Sequence, residues 1–207
     1  MSFRTLAGCG SVVGLALVLA GGCSGGKVAS APSLSASGAA AKAMEQYDAD
    51  HDGKLSGAEL DACPSIKSAI GKIDAGGDKT VTAENITTRI QSWQQKGVTR
   101  IGVVCTVLRN GEPLADAEVK FVPEKFMGSS FQTATGKTGA NGKASITLPA
   151  AESGGYPGIP LGYYRVEITK GSEIPAKYNT ETTLGQEVAT DNPVMRSQAG
   201  ATFDLKY

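Results

Sequence analysis

Two periodicities divide the chain. Before residue 97 apolar positions recur every three or four residues: Ala40, Met44 and Tyr47; Ile66, Ala69, Ile70 and Ile73; Ile86, Ile90 and Trp93. A repeat near 3.6 places each set on one helical face, which predicts helices over 38–47, 65–73 and 84–95. A short helix is expected over 59–63, stopped by Pro64. From Thr99 onward the period is two. Ile101, Val103, Cys105 and Val107 alternate with Gly102, Val104 and Thr106, the pattern of a half-buried strand. Further strands are predicted over 117–122, 143–148, 162–170 and 201–206. Turn signals at Arg109-Asn110-Gly111-Glu112 and Gly139-Ala140-Asn141-Gly142 separate them. The fold class predicted is α+β in two small domains, helices over 38–97 followed by an antiparallel β-sandwich over 98–207.

The first 22 residues follow neither pattern. Arg4 precedes an apolar, small-residue run from Leu6 to Ala20, and Ala20-Gly21-Gly22 leads to Cys23. The run is shorter than the ~20 residues a spanning helix needs and has the form of an export signal. Leu19-Ala20-Gly21-Gly22-Cys23 resembles a bacterial lipobox, although Ala20 stands where an aliphatic residue is usual. That resemblance implies lipidation of Cys23 and a membrane anchor; the alternative is plain secretion into the periplasm or beyond. Residues 23–37 are small and polar and predict a flexible tether.

Composition removes several functions. Twenty basic residues balance twenty acidic ones, so no nucleic-acid partner is expected. The single histidine, His51, is the only one available to a catalytic pair, and it lies inside an acidic loop. Four cysteines form no CxxC motif, which leaves zinc and redox chemistry without support. Gly136-Lys137-Thr138 ends like a phosphate loop, but Phe131 occupies the place of the first glycine and no nucleotide is expected. The chain is therefore expected not to be an enzyme.

The chemistry concentrates between Asp48 and Glu59. Asp48, Asp50 and Asp52 stand at positions 1, 3 and 5 of a twelve-residue loop, where they supply hard oxygen ligands. Gly53 at position 6 allows the chain to reverse. Lys54 at position 7 offers its carbonyl, Ser56 at position 9 an oxygen direct or through water, and Glu59 at position 12 a bidentate carboxylate. Leu55 at position 8 faces inward, toward a partner loop. Four carboxylates without a counter-ion repel one another, and a divalent cation relieves that repulsion. Ca²⁺ is the cofactor this donor set favours.

A weaker copy begins 26 residues later. Asp74 and Asp78 hold positions 1 and 5, Thr80 and Thr82 positions 7 and 9, and Val81 position 8. Gly76 at position 3 has no side chain, Lys79 at position 6 resists the bend, and Asn85 replaces the closing glutamate. Weak or no calcium is expected there, and Val81 is expected beside Leu55.

With these residues the segment 38–97 resembles an EF-hand pair, compact in the manner of dockerin-like calcium repeats, with its second loop degenerate. The strand segment resembles the transthyretin-like or carboxypeptidase-regulatory-like family. The residues that carry this are Asn110 to Val119, Thr138 to Ala144, and Gly162-Tyr163-Tyr164-Arg165-Val166. That resemblance implies a β-sandwich serving as a binding or spacer module, with an unknown surface protein or carbohydrate as possible ligand, and marks no catalytic residue. The whole reads as an exported calcium-binding lipoprotein; a structural or carrier protein that calcium merely stabilises is the alternative. Export permits a disulfide between Cys63 and Cys105, and burial of Cys105 in a strand face is the other reading.

Overall fold

The computed structural model describes Met1, residues 31–74 and residues 76–207. The expected signal segment and Cys23 lie outside the described residues. The helical part opens with α1 (Ala36–Tyr47), capped by Ser35, whose hydroxyl accepts from the Gly38 amide. There follow β1 (Lys54–Leu55), α2 (Gly57–Ala62), α3 (Pro64–Ser68), α4 (Ile70–Ile73), β2 (Val81–Thr82) and α5 (Ala83–Gln95). Pro64 both ends α2 and starts α3, a position where a missing N–H costs nothing. The face of α1 buried against the molecule is mainly alanine: Ala36, Ala39, Ala40 and Ala43. These small side chains let α1 lie close along α5, and Met44 and Tyr47 are only partly buried. The expected stripe on α5 is observed, since Ile86, Ile90 and Trp93 are all buried, with Arg89 among them.

The strand part comprises β3 (Arg100–Ile101), β4 (Val103–Arg109), β5 (Glu112–Pro113), β6 (Glu118–Pro123), β7 (Ala134–Lys137), β8 (Lys143–Ile146), a short α6 (Ala150–Ser153), β9 (Ile159–Pro160), β10 (Gly162–Thr169), β11 (Gly185–Val188), α7 (Pro193–Arg196) and β12 (Ala201–Leu205). One four-stranded sheet has the order β11-β10-β6-β7. In the other, β4 is flanked by β12 on one edge and by β5 and β8 on the other. The turn predicted at Asn110-Gly111 joins β4 to β5 with both residues at positive φ. One pairing departs from the antiparallel expectation: β12 runs parallel to β4, with Ala201 opposite Cys105 and Leu205 opposite Arg109. The stretch after β11 carries the chain from the first sheet to the second, so β12 arrives in the same direction as β4.

Side-chain contacts give the layering. Tyr163 on β10 meets Trp93 of α5 at 4.9 Å between ring centroids. The next residue, Tyr164, meets Phe121, which in turn meets Phe203 of β12 at 6.4 Å. Because neighbouring strand residues face opposite ways, the first sheet lies between the helices and the second sheet. The buried apolar side chains form one cluster running from Ala36 to Leu205. Helical and strand segments thus share a core.

Candidate functional site

Asp48, the C-cap of α1, begins a loop in which the side chains of Asp48, Asp50 and Asp52 each bring a carboxylate oxygen within 4.8 Å of the others. The loop is folded by its own acids. Asp48 Oδ2 accepts from the Gly53 amide at 3.1 Å, Asp50 Oδ1 from the Asp52 amide at 3.1 Å, and Asp52 Oδ1 from the Lys54 amide at 2.8 Å. Gly53 takes a φ of 83°, a conformation that glycine adopts without strain. Asp50 and Asp52 are exposed, whereas Asp48 is buried. Its second oxygen, Oδ1, is buried and has no hydrogen-bond partner. An unpaired buried carboxylate oxygen is costly, and a cation beside it is the direct remedy.

Lys54 lies in β1, so its main chain borders the loop. Ser56 is the N-cap of α2 and forms a capping box with Glu59. Glu59 is not one of the three clustered acids. Its Oε2 accepts from the Ser56 amide at 3.0 Å and its Oε1 from the Ala49 amide at 2.7 Å, so it ties the start of the loop to its end. Those amides, Ser56 first, hold the Glu59 carboxyl below its ordinary pKa. His51 stands at a φ of 58° and is exposed.

The second loop repeats this architecture without the acids at positions 3 and 12. Asp74 Oδ2 accepts from the Lys79 amide at 2.7 Å, as Asp48 Oδ2 does from Gly53, and Asp74 Oδ1 is taken by the Gly77 amide at 2.7 Å. Both oxygens of Asp74 are therefore occupied by main chain, in contrast with Asp48. Asp78 Oδ1 accepts from the Thr80 amide and hydroxyl, and Thr80 holds its pKa down. Thr82 and Asn85 form the capping box that Ser56 and Glu59 form in the first loop. The bend expected to be resisted at Lys79 is made nonetheless, with φ at 61°. Leu55 pairs directly with Val81 across β1 and β2, both fully buried. The two loops are thereby joined back to back.

Cys63 and Cys105 are both free and buried. The disulfide that export would permit between them is not formed, and burial of Cys105 in its strand is what the structure shows. Cys63 ends α2 on the helical side, with Ser65 Oγ at 3.6 Å, whereas Cys105 lies in β4 of the far sheet. Burial pushes each thiol up to about 12, which keeps both protonated and unreactive. Gly136-Lys137-Thr138 runs from β7 into a turn, and the buried Thr138 hydroxyl donates to the Leu114 carbonyl at 2.6 Å. That hydroxyl is structural.

Periodicity did not announce the polar residues that join the two segments. Glu124, at 1% exposure, accepts from the Tyr47 hydroxyl at 2.9 Å and from the Ser65 hydroxyl at 2.8 Å. Burial raises its pKa above the ordinary carboxylate range, against the opposing pull of those two donors. Arg89 makes a bidentate pair with the buried Glu187, at 2.6 and 3.0 Å, and a second with Asp191. Arg89 could have been flagged, since a charged residue between Ile86 and Ile90 interrupts an apolar stripe. Nothing local marks Glu124. Among known proteins, no family model, curated sequence or solved structure matches the chain.

Proposed function

We propose that this chain is an exported, lipid-anchored calcium-binding protein without catalytic activity, which holds one Ca²⁺ in the EF-hand-like loop from Asp48 to Glu59. The observation that carries the proposal is Asp48 Oδ1, a buried and unpartnered oxygen at the head of a cluster of three aspartates. The donors for the ion are Asp48, Asp50 and Asp52, with the Lys54 carbonyl, Ser56 and Glu59 completing the set. Hard oxygen donors in this number fit calcium better than magnesium, which demands a tighter octahedron. The second loop is assigned a structural part, because Gly76 and Asn85 stand where the first loop has Asp50 and Glu59, and no buried oxygen of Asp74 is left unpaired. The strand segment is read as a β-sandwich module that spaces the calcium-binding part from, or fixes it to, a surface partner such as a protein or carbohydrate. Cys23 is the lipid anchor of this reading.

A second reading makes calcium a constant stabilising ligand instead of a signal. It is favoured by the tethering of both sides of the loop to the strand segment through Glu124, Tyr47 and Ser65. Extracellular calcium modules bind at about 10⁻⁴ to 10⁻³ M, and at such affinity the site would be roughly half to nine-tenths occupied at about 1 mM calcium. Isothermal titration of the full chain with CaCl₂ is expected to give a stoichiometry near one. Glu59→Gln is expected to weaken binding by about tenfold or more. Absence of any heat or melting shift at millimolar calcium would sink the proposal.

A further inference from the structure

Glu124 sits just beyond β6, and its amide donates to the Tyr163 carbonyl at 3.0 Å, so it is anchored in the strand segment. Both of its carboxylate oxygens accept hydrogen bonds from the helical segment. Oε2 receives the Tyr47 hydroxyl, and Tyr47 is the last residue of α1, directly before Asp48. Oε1 receives the Ser65 hydroxyl, and Ser65 lies in α3, two residues beyond the Cys63 that closes α2. The chain entering the acidic loop and the chain leaving it therefore converge on one buried carboxylate. Arg165 Nε, at 4.0 Å, is the nearest opposite charge. The carboxylate depends chiefly on its two hydroxyl donors for the hydrogen bonds that burial demands. Tyr47 is braced from the side by Phe126, edge-on at 6.3 Å between centroids. Phe126 belongs to the turn that follows Glu124.

We infer that Glu124 is a positioning residue for the calcium loop: it ties the segments that flank the loop, Tyr47 directly before it and Ser65 beyond α2, to the strand segment, and so fixes the place of Asp48. The inference rests on the calcium reading given above. Calcium affinity then depends on a residue that touches neither the ion nor its ligands. Holding both ends from one point also resists spreading of the helices, so the site is a clamp rather than an opening switch.

The test is calcium titration of the full chain at 25 °C, comparing wild type with Glu124→Gln, Tyr47→Phe and Val166→Ala. Glutamine can serve only one of the two donors as acceptor, and phenylalanine removes a single hydroxyl. Val166 is a buried residue of β10, and its truncation lowers stability without touching the tether. Each variant is first shown to be folded by circular dichroism, so that Kd reports on the site and not on global unfolding. The expected result is a Kd weakened about tenfold in Glu124→Gln, as for other residues that orient metal ligands, and less in Tyr47→Phe. Val166→Ala is expected to melt earlier with Kd unchanged. Unchanged Kd in both tether variants overturns the inference, and so does an equal loss in Val166→Ala. Absence of binding in wild type overturns the calcium reading instead. If Glu124→Gln fails to fold, Tyr47→Phe decides alone.

Discussion

At Gly185 a Cβ would stand 2.2 Å from the Ser65 amide nitrogen and 2.3 Å from the Pro64 carbonyl carbon. Strand β11 can lie against the start of α3 only because that atom is missing, and the same contact places Ser65 over Glu124. Gly71 in α4 is different, with nothing within 4 Å of its would-be Cβ. The two positions therefore predict opposite signs. Gly71→Ala lowers the entropy of the unfolded chain and adds no clash, so it is expected to stabilise by about 0.5–1 kcal/mol. Gly185→Ala sets a methyl against main chain that cannot swing aside, and should destabilise by at least about 2 kcal/mol. Urea midpoints of the two variants check both signs, since each substitution leaves the exposed surface nearly unchanged. A stabilised Gly185→Ala would mean that α3 is not docked on the strand. The same kind of residue-level distinction separates the two loops. Asp48 and Asp74 take equivalent main-chain bonds, and what differs is a second oxygen left unpaired in one and used in the other.

Between elements, the most buried ion pair among the described residues is Arg89 of α5 with Glu187 of β11. Arg89 is 7% exposed and Glu187 fully buried. Asp191 adds a second fork to the guanidinium, and Lys96 adds a further bond to Asp191 at 2.8 Å. A buried pair of this kind repays little over an apolar isostere, but its rupture is costly because one charge is left stranded. Arg89→Met keeps much of the apolar stem and strands Glu187, so a loss of about 3–5 kcal/mol is expected at neutral pH. Lys96→Ala, at the exposed rim, should cost under about 1 kcal/mol. Thermal melts of the two variants side by side measure the difference, and equal small losses would show that Glu187 finds other donors. Many elements were legible in the sequence, but the edge strands β7 and β11 and the break at Ala69, which splits the helix expected over 65–73 into α3 and α4, were not. The stripe Ile86, Ile90, Trp93 gave α5, the alternation Val103, Cys105, Val107 gave β4, and Asn110-Gly111 gave the turn after it. The acidic loop was legible because three aspartates and a glycine stand at fixed offsets, and the structure brings those three aspartates together. What could not be read were partners far apart in the chain. Tyr47 with Glu124, Arg89 with Glu187, and the parallel seating of β12 on β4 are decided by packing of whole layers, and no local pattern encodes them. Free Cys63 and Cys105 follow from the same cause, since the first sheet lies between them.

Across the whole molecule, the question is whether helices and strands behave as one cooperative unit. The buried apolar side chains of the helical segment belong to the same cluster as those of the strands. The segment's largest apolar side chain, Trp93, packs on Tyr163 of β10, and polar ties reach across the same junction, among them Tyr47 and Ser65 to Glu124, Arg89 to Glu187, and the Ser68 hydroxyl, which accepts from the Glu187 amide at 2.8 Å. Removing the strand segment would expose Trp93 and leave those polar groups unpaired, so the helices are not expected to persist without it. Trp93 is the single tryptophan of the chain, which makes its fluorescence a reporter of this junction alone. Emission and far-ultraviolet circular dichroism should therefore trace superimposable thermal transitions, as two-state unfolding requires. Calcium at tenfold its Kd should displace both traces together, by about 1.4 kcal/mol in stability, because an ion bound only by the folded state stabilises everything that unfolds with its site. A helical segment that melted by itself would move the fluorescence transition ahead of the dichroic one. Calcium would then shift only the former, and the shared core would be two adjoining cores.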